Sequence, residues 1–186
     1  VSNDENRDAF YKYHEFTVSG SQTESVELKR PFAQLNIGTN DFVASEKAGH
    51  KVTHAMVEVP AYSTLDLVSG EATGDVTTAV LFNYAAIPTT ETFPVSGYQY
   101  MAMNYVLMKK SQETFDVTFT YATDENGANA KSRTVGSVPF QRNHRTNLYG
   151  QLLTSDVAVN VEIKPEYDDA FNNEGFFVTT NTNGKI

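Results

Sequence analysis

The chain has no cysteine among its 186 residues. That removes disulfide frameworks, thiolate zinc sites and cysteine nucleophiles together. Basic residues are also few: 14 Lys and Arg face 23 Asp and Glu, for a formal charge of −9. Nucleic acids and anionic bilayers are themselves negative, so this balance argues against both as partners. No apolar run approaches the ~18 residues that a membrane-spanning helix needs. The chain opens at Val1, with neither a basic stretch nor an apolar stretch to serve as a leader. It reads as a processed or trimmed form, with any export signal expected upstream. Helical periodicity is scarce, and residues 4–13 are the best short helix candidate.

What the sequence does hold is strand-forming material. Thr, Val, Phe and Tyr make up 62 residues, one third of the chain. These side chains fit a pleated, half-buried surface. Leu, Ile, Val and Phe supply 44 residues, above the ~20% of a chain below which disorder is expected. A packed core is therefore within reach. Alternation with period two recurs. Phe115, Val117, Phe119 and Tyr121 interleave with Asp116, Thr118 and Thr120. Val157, Val159, Val161 and Ile163 interleave with Ala158, Asn160 and Glu162, and Ala33, Leu35 and Ile37 with Gln34 and Asn36. Each run gives one face to a core and one to water, as in antiparallel sheets.

Turn signals separate the runs at short intervals, among them Ser19-Gly20, Ser69-Gly70, Ser96-Gly97 and Asp124-Glu125-Asn126-Gly127. The last predicts a hairpin between the Phe115 run and residues 133–140. About ten short strands joined in this way predict an all-β fold, an antiparallel Greek-key β-sandwich. Residues 98–108 are apolar on nearly both faces, which predicts a central strand covered on both sides, or one with an exposed aromatic patch. Three segments follow from the composition. Residues 1–30 form a polar start and a hairpin (14–18 with 25–30), which could be the remnant of a preceding domain. Residues 31–165 form the sandwich, and 166–186 an acidic, Asn-rich extension.

Motifs that carry chemistry are thin. His50 and His54 have the spacing of a helical zinc pair, but no Glu follows His50 and the neighbours are strand formers. In a strand that spacing places them about 13 Å apart. No Gly-x-Ser-x-Gly elbow, phosphate-cradling loop or complete calcium loop occurs. Neither catalysis nor a cofactor or metal is expected. Tyr98, Tyr100 and Tyr105 suit core packing, with stacking on sugars as the alternative. Residues 141–150, densely polar between two apolar strands, predict a structural corner.

The stretch Arg30-Pro31-Phe32-Ala33-Gln34-Leu35-Asn36-Ile37 resembles the arginine-to-strand lead-in of fimbrillin-type proteins of Bacteroidota. Asn143-His144-Arg145-Thr146-Asn147-Leu148-Tyr149-Gly150, followed by residues 157–163 and Pro165, is similar to their C-terminal signature. Residues 100–107 and the start around Asn6-Arg7-Asp8-Ala9-Phe10 fit as well. The resemblance covers most of residues 6–165 and marks Arg30, Phe32, Asn143, Arg145 and Asn147 as motif positions. It implies transthyretin-like β-sandwich domains and a lipoprotein of the outer membrane, exposed at the cell surface in a fimbria (pilus) or as an adhesin. Members commonly have two such domains, so an N-terminal domain and the lipid-bearing Cys are expected to be missing here.

The resemblance further implies partners that are other fimbrial subunits or further copies of the chain. They join when a protease specific for Arg or Lys removes a first strand and a donor strand fills the groove. Phe176, Phe177 and Val178, isolated beyond Pro165, are the expected donor-type or self-capping strand. The alternative function is a surface carbohydrate-binding module, with Tyr98 and Tyr100, or Phe93 and Tyr62, stacking on a host or microbial glycan. A hydrolase would need two carboxyls within about 5–9.5 Å.

Overall fold

A computed structural model of the chain describes residues 3–76, 79–155, 159–164 and 180–181. Strands dominate. They are β1 (Thr23–Glu24), β2 (Phe32–Thr39), β3 (His54–Pro60), β4 (Thr64–Leu65), β5 (Ala72–Thr73) and β6 (Ala79–Ala86). Then follow β7 (Gln99–Leu107), β8 (Glu113–Ala122), β9 (Lys131–Phe140), β10 (Arg145–Gly150), β11 (Val159–Lys164) and β12 (Thr180–Asn181). One short helix, α1 (Phe42–Lys47), follows β2. β8 shows the expected alternation as far as Phe119, whereas β2 is buried on both faces, with Gln34 and Asn36, expected toward water, covered like Leu35 and Ile37. The hairpin at residues 124–127 joins β8 to β9.

Two four-stranded sheets form, in the orders β11-β10-β2-β7 and β6-β3-β8-β9. Leu35 and Ile37 of β2, Met101 of β7 and Leu148 of β10 pack with Val57 and Val59 of β3 and Val117 and Phe119 of β8 in one buried cluster. That shared core makes the fold a β-sandwich. Burying a side chain such as Leu35 or Phe119 removes its surface from water and contributes about 1.5–3 kcal/mol.

The structure refines the sequence reading at four places. Pairing within the two sheets is antiparallel except between β2 and β10, which run parallel with Asn36 opposite Asn147. Alternation fixes which face a residue occupies and is silent about strand direction. The residue 98–108 strand is covered on both sides but lies at a sheet edge. Its second face is covered by the residue 88–98 loop, where Phe93 packs on Tyr100 and Met103. Near the start, only a 3-10 turn, Glu5–Arg7, forms. Residues 14–18 and 25–30 make no ladder; the two arms meet at a single Tyr11–Lys29 bridge.

Candidate functional site

Arg30 holds the beginning of the chain to the sandwich. Its Nε lies 2.6 Å from Asp8 Oδ2, with the two side chains only 8% and 16% exposed. Its guanidinium sits 4.4 Å from the centre of the Phe10 ring. A planar, always charged guanidinium can pair with a carboxylate and stack on a ring at once, which lysine cannot do. Pro31 then turns the chain into β2. Phe32 packs against Tyr105 with ring centres 6.2 Å apart, and its carbonyl accepts from the Asn143 N–H at 2.8 Å.

The remaining motif residues meet β2 at the parallel seam. Asn143 adopts φ 61°, the left-handed conformation that Asn tolerates better than most residues. This bend lets the His144 carbonyl accept from Gln34 N–H at 3.0 Å and sets β10 beside β2. Within the seam Asn36 Nδ2 donates to Asn147 Oδ1 at 3.0 Å, with both side chains wholly buried. Arg145 stands opposite Gln34 in the register. Phe32, Asn143, Arg145 and Asn147 thus lie along the seam where β10 enters the sheet, while Arg30, two residues before Phe32, engages Asp8 and Phe10 instead.

The tyrosines have other neighbours. Tyr100 is buried edge-on against Phe93 at 5.0 Å, and half-buried Tyr98 meets Tyr149 edge-on at 4.9 Å. Phe93 is itself buried. Buried Tyr62 donates its hydroxyl to Glu113 at 2.8 Å; burial, with Glu113 adding to it, raises the phenol above its ordinary pKa. His50 follows α1 while His54 opens β3. Among the described residues no three His, Asp or Glu side chains converge as a metal site would need. Phe176, Phe177 and Val178 lie outside the described residues.

The feature that sequence reasoning missed is at the open edge of the sandwich, where β6 and β7 end their sheets. Asn3 lies in a bend against β7. Its N–H donates to the Met103 carbonyl at 2.8 Å, and its side-chain oxygen accepts from Met103 N–H at 2.7 Å. Its amide nitrogen reaches across to the Ala86 carbonyl of β6 at 2.8 Å. Asn3 has φ 57°, a backbone state that lets main chain and side chain serve the same partner. Beside it runs a groove in two connected parts. A pocket of about 160 Å³ is lined by Asn3, Ala86, Pro88 and Met103. A larger one of about 580 Å³ shares Ala86, Pro88 and Tyr100 and extends to Phe42 and Val52. No signal in the sequence distinguishes Asn3 from any other polar residue near the start.

Fold and edge together define an all-β sandwich whose β7 edge is touched by its own N-terminal segment at Asn3. The chain belongs to DUF6562, a family of unknown function whose profile matches residues 1–183. No curated protein matches it. Among solved structures it is similar to a candidate cell adhesion protein from Bacteroides uniformis ATCC 8492. That likeness has 14% identity over 83% of this chain and 69% of the other, with a TM-score of 0.41. A candidate cell adhesion protein from Bacteroides fragilis NCTC 9343 is similar at 12% identity, 77% and 48% coverage and a TM-score of 0.32. Among the described residues no helix is long and apolar enough to cross a membrane.

Proposed function

We propose that this chain is a structural and adhesive subunit of a cell-surface fimbria, working without catalysis, and that it accepts a strand from another copy along the β7 edge. The observation that carries the reading is the double hydrogen bond between Asn3 and Met103. An edge strand presents a row of main-chain donors and acceptors, and here the N-terminal segment occupies it at only a few points. A donor strand would supply continuous main-chain bonds and send alternate side chains into the adjoining groove. Four or five apolar side chains would remove ~400–600 Å² from water, on the order of 10–15 kcal/mol before the cost of ordering the donor. The fimbrillin-like motif residues around Arg30 and Asn143 support the same reading, because they anchor the core independently of the first seven residues.

Arg7 is the cleavage point this arrangement offers. Its side chain is 65% exposed and, among the described residues, bonded only to Asp4, and cutting after it releases Asn3 while leaving the Asp8–Arg30 pair in place. Limited trypsin treatment of the full-length protein, read by terminal sequencing and unboiled SDS gels, tests this. A ladder of SDS-resistant oligomers after cleavage at Arg7 is the expected result. A product trimmed at Arg7 that stays monomeric overturns the reading.

A further inference from the structure

A cleft of about 350 Å³ lies at the other end of β7, between the N-terminal segment, the residue 66–70 loop and the turn before β10. Four cations line it: Lys12, Lys29, Lys110 and Arg142. Two have carboxylate partners, Lys29 with Glu27 at 3.6 Å and Lys110 with Glu71 at 3.2 Å. Among the described residues, Lys12 and Arg142 have none. In a chain of net charge −9, two uncompensated cations facing one concavity make a local positive potential that low-dielectric walls concentrate.

Arg142 is the most telling member. It is 8% exposed, held by its Nε on the Met108 carbonyl at 3.3 Å and by Nη1 near the Tyr11 hydroxyl at 3.5 Å. Its Nη2 is buried with no hydrogen-bond partner. A buried charged donor left unpaired is costly, and such groups call for an occupant that completes them. The position is built rather than incidental. The Arg142 N–H donates to Lys109 O at 2.9 Å, and His144 Nδ1 donates to the Arg142 carbonyl at 2.8 Å. Gly70 faces Tyr11 so closely that an added Cβ would meet its hydroxyl at 2.2 Å.

We propose that this cleft binds an acidic saccharide, its carboxylate or sulfate directed to Arg142 and Lys12. The remaining lining argues for a sugar over a peptide. The side-chain amides of Gln141 and Asn143 make no hydrogen bond within the described residues and are free to meet hydroxyl groups. Tyr11 and Tyr13 supply ring surface of the kind sugars stack on. The volume is within the ~300–1,000 Å³ of small-molecule sites. The inference does not depend on strand addition at the β6–β7 edge.

Isotope-labelled full-length protein titrated with a hyaluronan tetrasaccharide (carboxylates only), a heparin tetrasaccharide (sulfates and carboxylates) and neutral chitotetraose tests the site by amide NMR. One or both acidic oligosaccharides are expected to shift amides around Gly70 and residues 141–144, to weaken as salt is raised, and to leave the neutral one silent. Which acidic probe binds identifies the anion. Lys12→Glu, at a side chain with no partner among the described residues, is expected to weaken binding about tenfold through charge reversal near the anion. Arg142→Met is expected to abolish it, with the amide spectrum reporting whether the fold survives. Equal binding of chitotetraose, tighter binding of an acetylated tetra-aspartate peptide, or the absence of any shift in the cleft overturns the proposal.

Discussion

Asp41 and Thr154, 113 residues apart in the chain, are joined twice: Thr154 donates its N–H at 2.8 Å and its hydroxyl at 2.7 Å to the same carboxylate oxygen. The carboxylate also accepts from Leu153 N–H at 3.2 Å and from the Thr39 hydroxyl. The Thr39 hydroxyl oxygen in turn accepts from the Leu152 N–H at 3.1 Å and lies 2.9 Å from the Gly150 carbonyl. The end of β2 is thereby fastened to the turn that follows β10, closing the parallel seam at the end opposite Arg30. Replacing Asp41 by Ala strands buried N–H donors, so a loss of about 2–4 kcal/mol is expected. For a chain of this size that is a fall of roughly 5–15 °C in Tm. Thermal melts followed by circular dichroism decide it, and a fall of under ~2 °C would mean water replaces the carboxylate without penalty.

Gly38 and Phe93 make a second checkable pair. A Cβ built on Gly38 would meet the Phe93 ring at 2.5 Å, so the loop over the outer face of β2 lies where it does because residue 38 has no side chain. Gly38→Ala is expected to cost about 1–3 kcal/mol by overpacking. Combined with Phe93→Ala, which empties the space, its added cost is expected to shrink by on the order of 1 kcal/mol or more. Strict additivity in a urea-melt cycle would remove the ring clash as the cause.

His50 predicts a pH dependence. Its ring meets Tyr121 edge-on at 5.8 Å, and its Nε2 is buried without a partner. Burial, and after it the nearby Lys131 charge, hold the imidazole below its ordinary pKa. The unfolded chain then takes up the proton more readily than the folded one, so stability is complete above about pH 6.5 and declines as pH falls through that value. His50→Asn is expected to lose less stability than the wild type between about pH 7 and pH 5. Parallel denaturant melts at the two pH values measure it, and identical losses in both proteins would sink the assignment.

Much of the fold was legible before any coordinates. Ala33, Leu35 and Ile37, and likewise Val117, Phe119 and Tyr121, occupy the buried face that their alternation predicted. The Asp124–Gly127 turn delivers its hairpin because Asp124 Oδ1 accepts from the N–H groups of Asn126 and Ala128. A strand was also expected over residues 157–163, but not that β11 would be an edge, and its expected core face is not kept: Val161 is 39% exposed. Asn143 and Phe32 were visible as motif residues, without any indication that the Asn143 N–H would bond the Phe32 carbonyl.

The sequence by itself determined the all-β class and which side chains of β2 and β8 enter the shared core, because both follow from local spacing and side-chain shape. Only the tertiary structure decided that β2 and β10 run parallel, that β7 is an edge touched by Asn3, and that Arg142 and Lys12 share a cleft. Each of these is a contact between residues far apart in the chain. Period-two alternation assigns a residue to a side of a sheet but encodes neither its neighbour nor its register, and those are settled when the competing burials are resolved together.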